Sequence, residues 1–315
     1  MYKLRHIARE VAANLAMSIP LISDSRVKKG RTVAVSIEAK ARIIVAQFAF
    51  FLDSIGPDKL QGRSVMEIGP GDSIPLGILL LGAGARSYVA LDRFLGDVDG
   101  AAALQLYDAV LSLAQPSIVA GLRSKGIEIS AHGLRNLVIS SEHISLVRSS
   151  IEADNAALES TADYIVSFNV CEHLADLDRA VANMARLLVP TGKMIHRVDY
   201  GPHDVWQQYA NPLVFLTVPA PAWTLMSSHR GCPNRVRHRQ LLEMLRSRGF
   251  AVADRVGTRT AMSCVDEVRK DLSAEFRSLT DADLSVLDAE IACVFDGLPQ
   301  LGRPFELADD DAVGA

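Results

Sequence analysis

Cysteine is scarce: Cys171, Cys232, Cys264 and Cys293 are the only four in 315 residues, and no two form a CxxC pair. That excludes a cysteine-based zinc knuckle and a disulfide framework, and leaves free thiols in a reducing cytosol. A long apolar run is also missing. Nothing approaches the roughly 18 residues that cross a bilayer, so no membrane span is expected. Arg5, Arg9 and Glu10 interrupt the apolar positions of the first twenty residues, so no secretory leader is expected. Tyr2–Met17 reads instead as a slightly basic amphipathic helix packed on the domain rather than lying on a membrane. Basic charge is not in excess: 33 Lys and Arg face 37 Asp and Glu, for a net charge of −4. A nucleic-acid partner is therefore not expected. There is no internal repeat. These absences point to a cytoplasmic globular protein, and an apolar content of 49% is enough to build a packed core.

What is present begins with helices. Residues 1–60 read as an N-terminal helical segment, clearest in Ser36–Ser54, with a polar loop at Ser23–Thr32. From Ser64 the pattern changes. Ser64–Ile68 is a short apolar strand ending in Gly-Pro-Gly. Asp72 or Ser73 would cap a helix with Pro75 in its first turn, and Gly82 and Gly84 would end it. Tyr88–Leu91 is a second strand closed by Asp92. This βαβ unit predicts a parallel sheet with crossover helices. Further along, helices are expected at Ala101–Leu113, Ile118–Gly126, Leu177–Leu188, Arg239–Arg248 and within 265–288. Strands are expected near Leu137–Ser140, Leu146–Arg148, Asp163–Asn169, Lys193–Val198, Phe250–Val256 and Ile291–Phe295. Residues 200–235 are too irregular for the sheet and read as a cap, and Glu306–Ala315 as a mobile acidic tail.

The run Val65-Met-Glu-Ile-Gly-Pro-Gly-Asp-Ser73 carries the chemistry. Gly69 and Gly71 allow the sharp strand-to-helix turn and a close ligand approach, and the helix beyond offers free N–H groups. A dinucleotide site would want a third small residue where Ile74 stands. Glu67 would also repel a pyrophosphate but suit a cationic amino-acid ligand. Asp92 ends the neighbouring strand, where a carboxylate can accept hydrogen bonds from ribose hydroxyls.

Val65–Asp92 resembles the first two motifs of class I S-adenosylmethionine (SAM)-dependent methyltransferases. Tyr164-Ile-Val-Ser-Phe-Asn-Val-Cys-Glu-His-Leu174 resembles their fourth-strand motif, and Leu187-Leu-Val-Pro-Thr-Gly-Lys193 the turn before the fifth strand. The resemblance implies an α/β, Rossmann-like fold: a seven-stranded, mostly parallel sheet with helices on both faces and an antiparallel last strand. It implies a methyltransferase domain over residues 61–305, with N-terminal helices before it and cap insertions at about 200–235 and 265–288. SAM would be the cofactor and S-adenosyl-L-homocysteine (SAH) the product. Glu67, Gly69 and Gly71 would hold the amino-acid end of SAM, Asp92 the ribose, and Arg93 would lie near the adenine. Ile151 and Glu152 would flank the adenine, and Asn169 and Val170 would floor the site.

An acceptor hydroxyl must lose a proton, and the base should lie past the fourth and fifth strands. His173, His196, Asp199 and His203 are the candidates, with His203 favoured by its Gly-Pro loop and histidine by its titration near neutrality. Some sugar methyltransferases of this kind use a divalent ion, but His196, Asp199 and His203 match no ligand pattern, so no metal is expected. Trp206, Tyr209, Phe215, Trp223, His229, Arg230, Asn234 and Arg235 would either cover a polar acceptor or simply pack the cap. The fourth strand lacks the Asn-Pro-Pro-Tyr or Asp-Pro-Pro-Tyr run of nucleobase and glutamine N-methyltransferases. A small-molecule or sugar hydroxyl is therefore the expected acceptor, as in polysaccharide and natural-product pathways. A carboxylate or amine acceptor, or a non-catalytic SAM-fold protein, is the alternative. The N-terminal helices suggest a homodimer.

Overall fold

A computed structural model describes residues 2–19, 35–127, 142–227 and 233–296. Seven strands form one sheet in the order β3-β2-β1-β4-β5-β7-β6. β1 (Ser64–Ile68) lies centrally and pairs in parallel with β2 (Ser87–Leu91) and β4 (Ala162–Phe168). β3 (Ile144–Val147) extends one side, and β5 (Leu188–Asp199) continues the parallel set on the other. β7 (Val286–Phe295) runs antiparallel between β5 and β6 (Phe250–Arg259). The expected antiparallel last strand is there, starting five residues earlier than Ile291. Residues 286–288, read as helical from sequence, belong to it.

Side chains alternate across β1. Val65 enters the apolar layer formed with α2 (Ile37–Ile55), α4 (Pro75–Gly82), α5 (Ala101–Leu113) and α6 (Pro116–Ser124). Met66 and Ile68 enter the opposite layer, with α7 (Leu177–Leu187) and α9 (His238–Ser247). Helices therefore cover both faces, as expected for a mostly parallel sheet. Ser36 caps α2 by accepting from Ala39 N–H, and Gly56 and Pro57 turn the chain into the short α3 (Pro57–Leu60). α4 is apolar all round and all eight residues are buried. Its N-cap is Ile74, without a side-chain cap, rather than Asp72 or Ser73. Tyr107 Oη accepts the Ile74 N–H instead, at 3.1 Å.

A third apolar cluster stands apart from the sheet. It joins the turns Asp204–Gln208 and Val214–Thr217 to α8 (Ala220–Ser227), α10 (Met262–Arg269) and α11 (Asp281–Ser285). α1 (Leu4–Met17) packs onto this cap through Ile7 and Val11. Three polar contacts pin it there. Lys3 N–H donates to Tyr209 Oη, His6 Nδ1 meets the same oxygen, and Asn14 Nδ2 donates to the Leu225 carbonyl. Among the described residues no helix is long and apolar enough to cross a membrane. The expected loop Ser23–Thr32, the strand Leu137–Ser140, the tail Glu306–Ala315, and His229, Arg230 and Cys232 lie outside the described residues.

Candidate active site

The carboxyl ends of β1, β2, β4 and β5 meet at one edge of the sheet, the usual ligand position in open α/β sheets. Gly69 and Gly71 follow β1 with φ of +73° and +76°, in the left-handed region that glycine enters without cost. Asp92 ties this turn to the end of β2. Its Oδ2 accepts the Gly71 N–H at 2.9 Å, and its Oδ1 accepts the Phe94 N–H at 2.7 Å. A carboxylate offers about four acceptor positions, so two remain for a ligand. In front of Gly71 the space is open: a Cβ placed there would meet nothing within 4 Å. Arg93 is exposed, with its guanidinium 4.3 Å from the centre of the Phe94 ring.

Glu67 is buried at the end of β1 and accepts a 2.5 Å hydrogen bond from Tyr88 Oη. Tyr88 reaches it because Gly77 of α4 has no side chain; a Cβ there would lie 2.4 Å from the Tyr88 ring. Burial pushes the Glu67 carboxyl up to about 7, against the opposing pull of the Tyr88 hydrogen bond. The group therefore changes charge near neutrality and favours a cationic neighbour. Nothing in the sequence pattern links Tyr88 to Glu67; that contact depends on the fold.

Asn169 is exposed at the end of β4 with φ of +55°, its N–H donating to the Arg197 carbonyl. Val170 packs on Gly69. Ile151 and Glu152 lie in the loop after β3. The Ile151 side chain is buried in the apolar layer beside α7. Glu152 accepts from Asp176 N–H and from Ser150 Oγ, fastening its loop to the start of α7.

The turn Cys171–His173, which follows β4, meets the loop after β5. Glu172, His173 and His203 place one ligand atom each within 4.8 Å of one another. The His173 and His203 rings meet edge to face at 5.0 Å, and His203 Nε2 lies 3.5 Å from Asp199 Oδ2. Burial raises Asp199, but the His203 contact, the Gly201 N–H and the neighbouring histidines more than offset it, leaving the carboxyl below its usual range. Burial pushes Glu172 up to about 8, with the Asp199 charge adding to the rise. Asn234 locks the turn: its N–H donates to the Glu172 carbonyl, and its Nδ2 to the carbonyls of Cys171 and Leu174.

Three of the four expected catalytic residues thus come together, and His196 does not. It lies inside β5, 1% exposed, with Nδ1 2.8 Å from Ser167 Oγ. Burial lowers its pKa to about 4, so it is neutral in the fold. Strand alternation puts it on the face it shares with Met194 and Val198, which lie in the buried layer beside α7 and α9, whereas Asp199 is on the other face. Glu172 is the residue that sequence reasoning passed over. It sits inside the Glu-His-Leu run, directly before His173.

Several cap residues serve packing. Arg235 donates to the carbonyls of Phe215 and Val218, pairs with Glu275, and lies over the Trp223 ring. Trp223 Nε1 donates to the Pro233 carbonyl. Glu10 of α1, His203, Asp204, Trp206, Trp223, Met226 and Pro233 line a small pocket beside the histidines.

A family described as a methyltransferase domain matches residues 40–254. No curated protein matches the chain. Similar solved structures include the YcgJ protein of Bacillus subtilis, at 14% identity, 80% of this chain, 100% of that one, and a TM-score of 0.41. Phosphoethanolamine N-methyltransferase 2 of Haemonchus contortus, crystallised with SAM, is 12% identical over 79% of this chain and 52% of its own, with a TM-score of 0.41. A geranyl diphosphate methyltransferase in complex with SAM is 14% identical over 79% of this chain and 84% of its own, with a TM-score of 0.42. Likenesses this loose carry no argument about substrate.

Proposed function

The chain belongs to the methyltransferase domain family, of the class I, SAM-dependent kind, and from that premise we propose that it moves a methyl group from SAM to a hydroxyl of a small molecule or sugar. The observation that carries this reading is the pairing of Asp92 with the Gly71 turn beside open space. Asp92 keeps acceptor positions for ribose hydroxyls, and Glu67 offers a carboxylate to the cationic amino-acid end. Arg93 lies toward the adenine, and Asn169 and Val170 form the floor. Ile151 and Glu152 contribute to the adenine side through the backbone of their loop.

SAM supplies an activated methyl group on a sulfonium. The chain's own tasks are to align the acceptor in line with it and to take the acceptor's proton. His203, with the Asp199 carboxylate 3.5 Å away, is the base in this proposal, with His173 beside it. His196 is a structural residue of the sheet. The cap over residues 200–227, 233–235 and 265–285, with α1 laid across it, shields the reaction from water. The same reading takes 61–305 as the catalytic domain, 1–60 as the helical segment before it, and the protein as a cytoplasmic homodimer of a biosynthetic pathway.

An amine acceptor is the second reading, favoured by the Glu172 and Asp199 carboxylates beside the two histidines. Carboxylates suit an ammonium group. Incubation with SAM and separate panels of sugars, phenols, carboxylates and amines, followed by SAH release, tests both. Turnover confined to hydroxyl acceptors supports the first reading, and turnover confined to amines replaces it with the second. Turnover with no class of acceptor contradicts both.

A further inference from the structure

The acceptor-side cluster contains more donor chemistry than proton transfer needs. Glu172 is 3% exposed, and among the described residues neither carboxylate oxygen makes a well-formed hydrogen bond, its contacts to the backbone N–H groups of Glu172 and Asp199 being weak. The buried Nε2 of His203 also lacks one, its Asp199 contact being too long at 3.5 Å. Leaving one buried polar atom unsatisfied costs about 1–3 kcal/mol, and more if it is charged. Buried carboxylates persist where they are paired or coordinate a metal. The Glu172 turn is held rigidly by the three Asn234 hydrogen bonds. Three ligand atoms lie within 4.8 Å of one another, and the Asp199 carboxylate stands beside them.

We propose that Glu172, His173 and His203 bind a divalent first-row transition-metal ion, with Asp199, which faces His203 Nε2 at 3.5 Å, completing the set. Two imidazoles with carboxylates suit manganese, iron, cobalt or zinc, whereas magnesium and calcium prefer oxygen donors alone. Three protein ligands leave coordination positions open toward the acceptor side. The triad differs from the His196, Asp199 and His203 set considered from sequence. His196 lies under the buried face of the sheet against Ser167, and the buried Glu172 takes its place. The inference stands on this geometry and not on methyl transfer. With an ion bound, His203 is a ligand, and its role as a free base belongs to the ion-free protein.

The test uses untagged full-length protein stripped with a chelator. It is titrated with cobalt(II), followed by visible absorption, and with zinc(II) and magnesium(II) by calorimetry. The expected result is one cobalt or zinc ion per chain with micromolar affinity, and far weaker magnesium binding. Glu172→Gln and His173→Ala should each weaken cobalt binding by more than about tenfold while thermal unfolding stays cooperative. If one variant fails to fold, the other carries the test. No cobalt or zinc binding, binding that both variants leave unchanged, or preference for magnesium would overturn the proposal. SAM titration of the same ion-free protein is a separate readout, so loss of the methyl-transfer reading would not be mistaken for loss of this one.

Discussion

Val170 closes on Gly69 so tightly that a Cβ at Gly69 would lie 2.6 Å from one Val170 methyl and 2.8 Å from the other. The ends of β1 and β4 are held together at this point, and the glycine turn is shaped by the contact. Gly71, two residues on, has the same backbone conformation but open space around it.

The two glycines should therefore respond differently to alanine. Gly71→Ala meets only backbone strain, about 1–2 kcal/mol of stability, yet its methyl enters the proposed SAM space. Gly69→Ala adds a clash with Val170 to the same strain, about 2–4 kcal/mol in all. Thermal unfolding with SAM titration separates them. Gly71→Ala should lose SAM affinity out of proportion to its stability. Equal losses of stability in the two variants would contradict the packing account.

Asp92→Ala should weaken SAM binding by more than about tenfold, about 1.4 kcal/mol or more. The carboxylate would be missing for the ribose, and Gly71 would lose its tether at the same time. Calorimetry on the folded variant checks this, and unchanged affinity would remove Asp92 from the site.

Glu67 gives a pH signature. Its carboxyl sits at about 7, above the usual 4.5, because burial disfavours the charge. Tyr88 and Asp92 face it, and Tyr107 is near enough to feel its charge. A cationic ligand prefers the ionised form, so SAM affinity should fall as pH drops through 7, about tenfold between pH 8 and 6. Glu67→Gln should flatten that dependence, and an equally steep profile in the variant would show that another group is responsible.

The two histidines of the β5 region should separate stability from turnover. His203→Ala should keep SAM binding and slow turnover by about 10²–10⁴-fold. His196→Ala should lower stability by about 2–3 kcal/mol, through a lost partner for Ser167 and a small cavity, with turnover per folded molecule retained. The folded pKa of His196, about 4, lies below its ordinary 6.5, so protonation favours the unfolded chain. Its contribution to stability is complete above about 6.5 and is lost as pH falls toward 4. Thermal melts of wild type and variant across that window should converge at the acid end.

Much of this was legible in the chain because local rules and tertiary structure agree. Ser64–Ile68, the glycine turn, Pro75 and Asp92 each carry their meaning in residue type, and Ala101–Leu113 ends where its periodicity does. Legibility fails where long-range packing decides. Ile74 rather than Asp72 caps α4, because Tyr107 satisfies the N–H from another helix. Ile151 and Glu152 are drawn into the α7 contact, which no spacing records. The separation of His196 from His203 depends on strand register, and the burial of Glu172 on a turn locked from 62 residues away by Asn234.

The central claim is the cofactor, and calorimetric titration of the purified protein with SAM, SAH and NADH in parallel tests it most directly. The account predicts micromolar binding of SAM and SAH and none of NADH. Binding of NADH alone, or of none of the three, would contradict it.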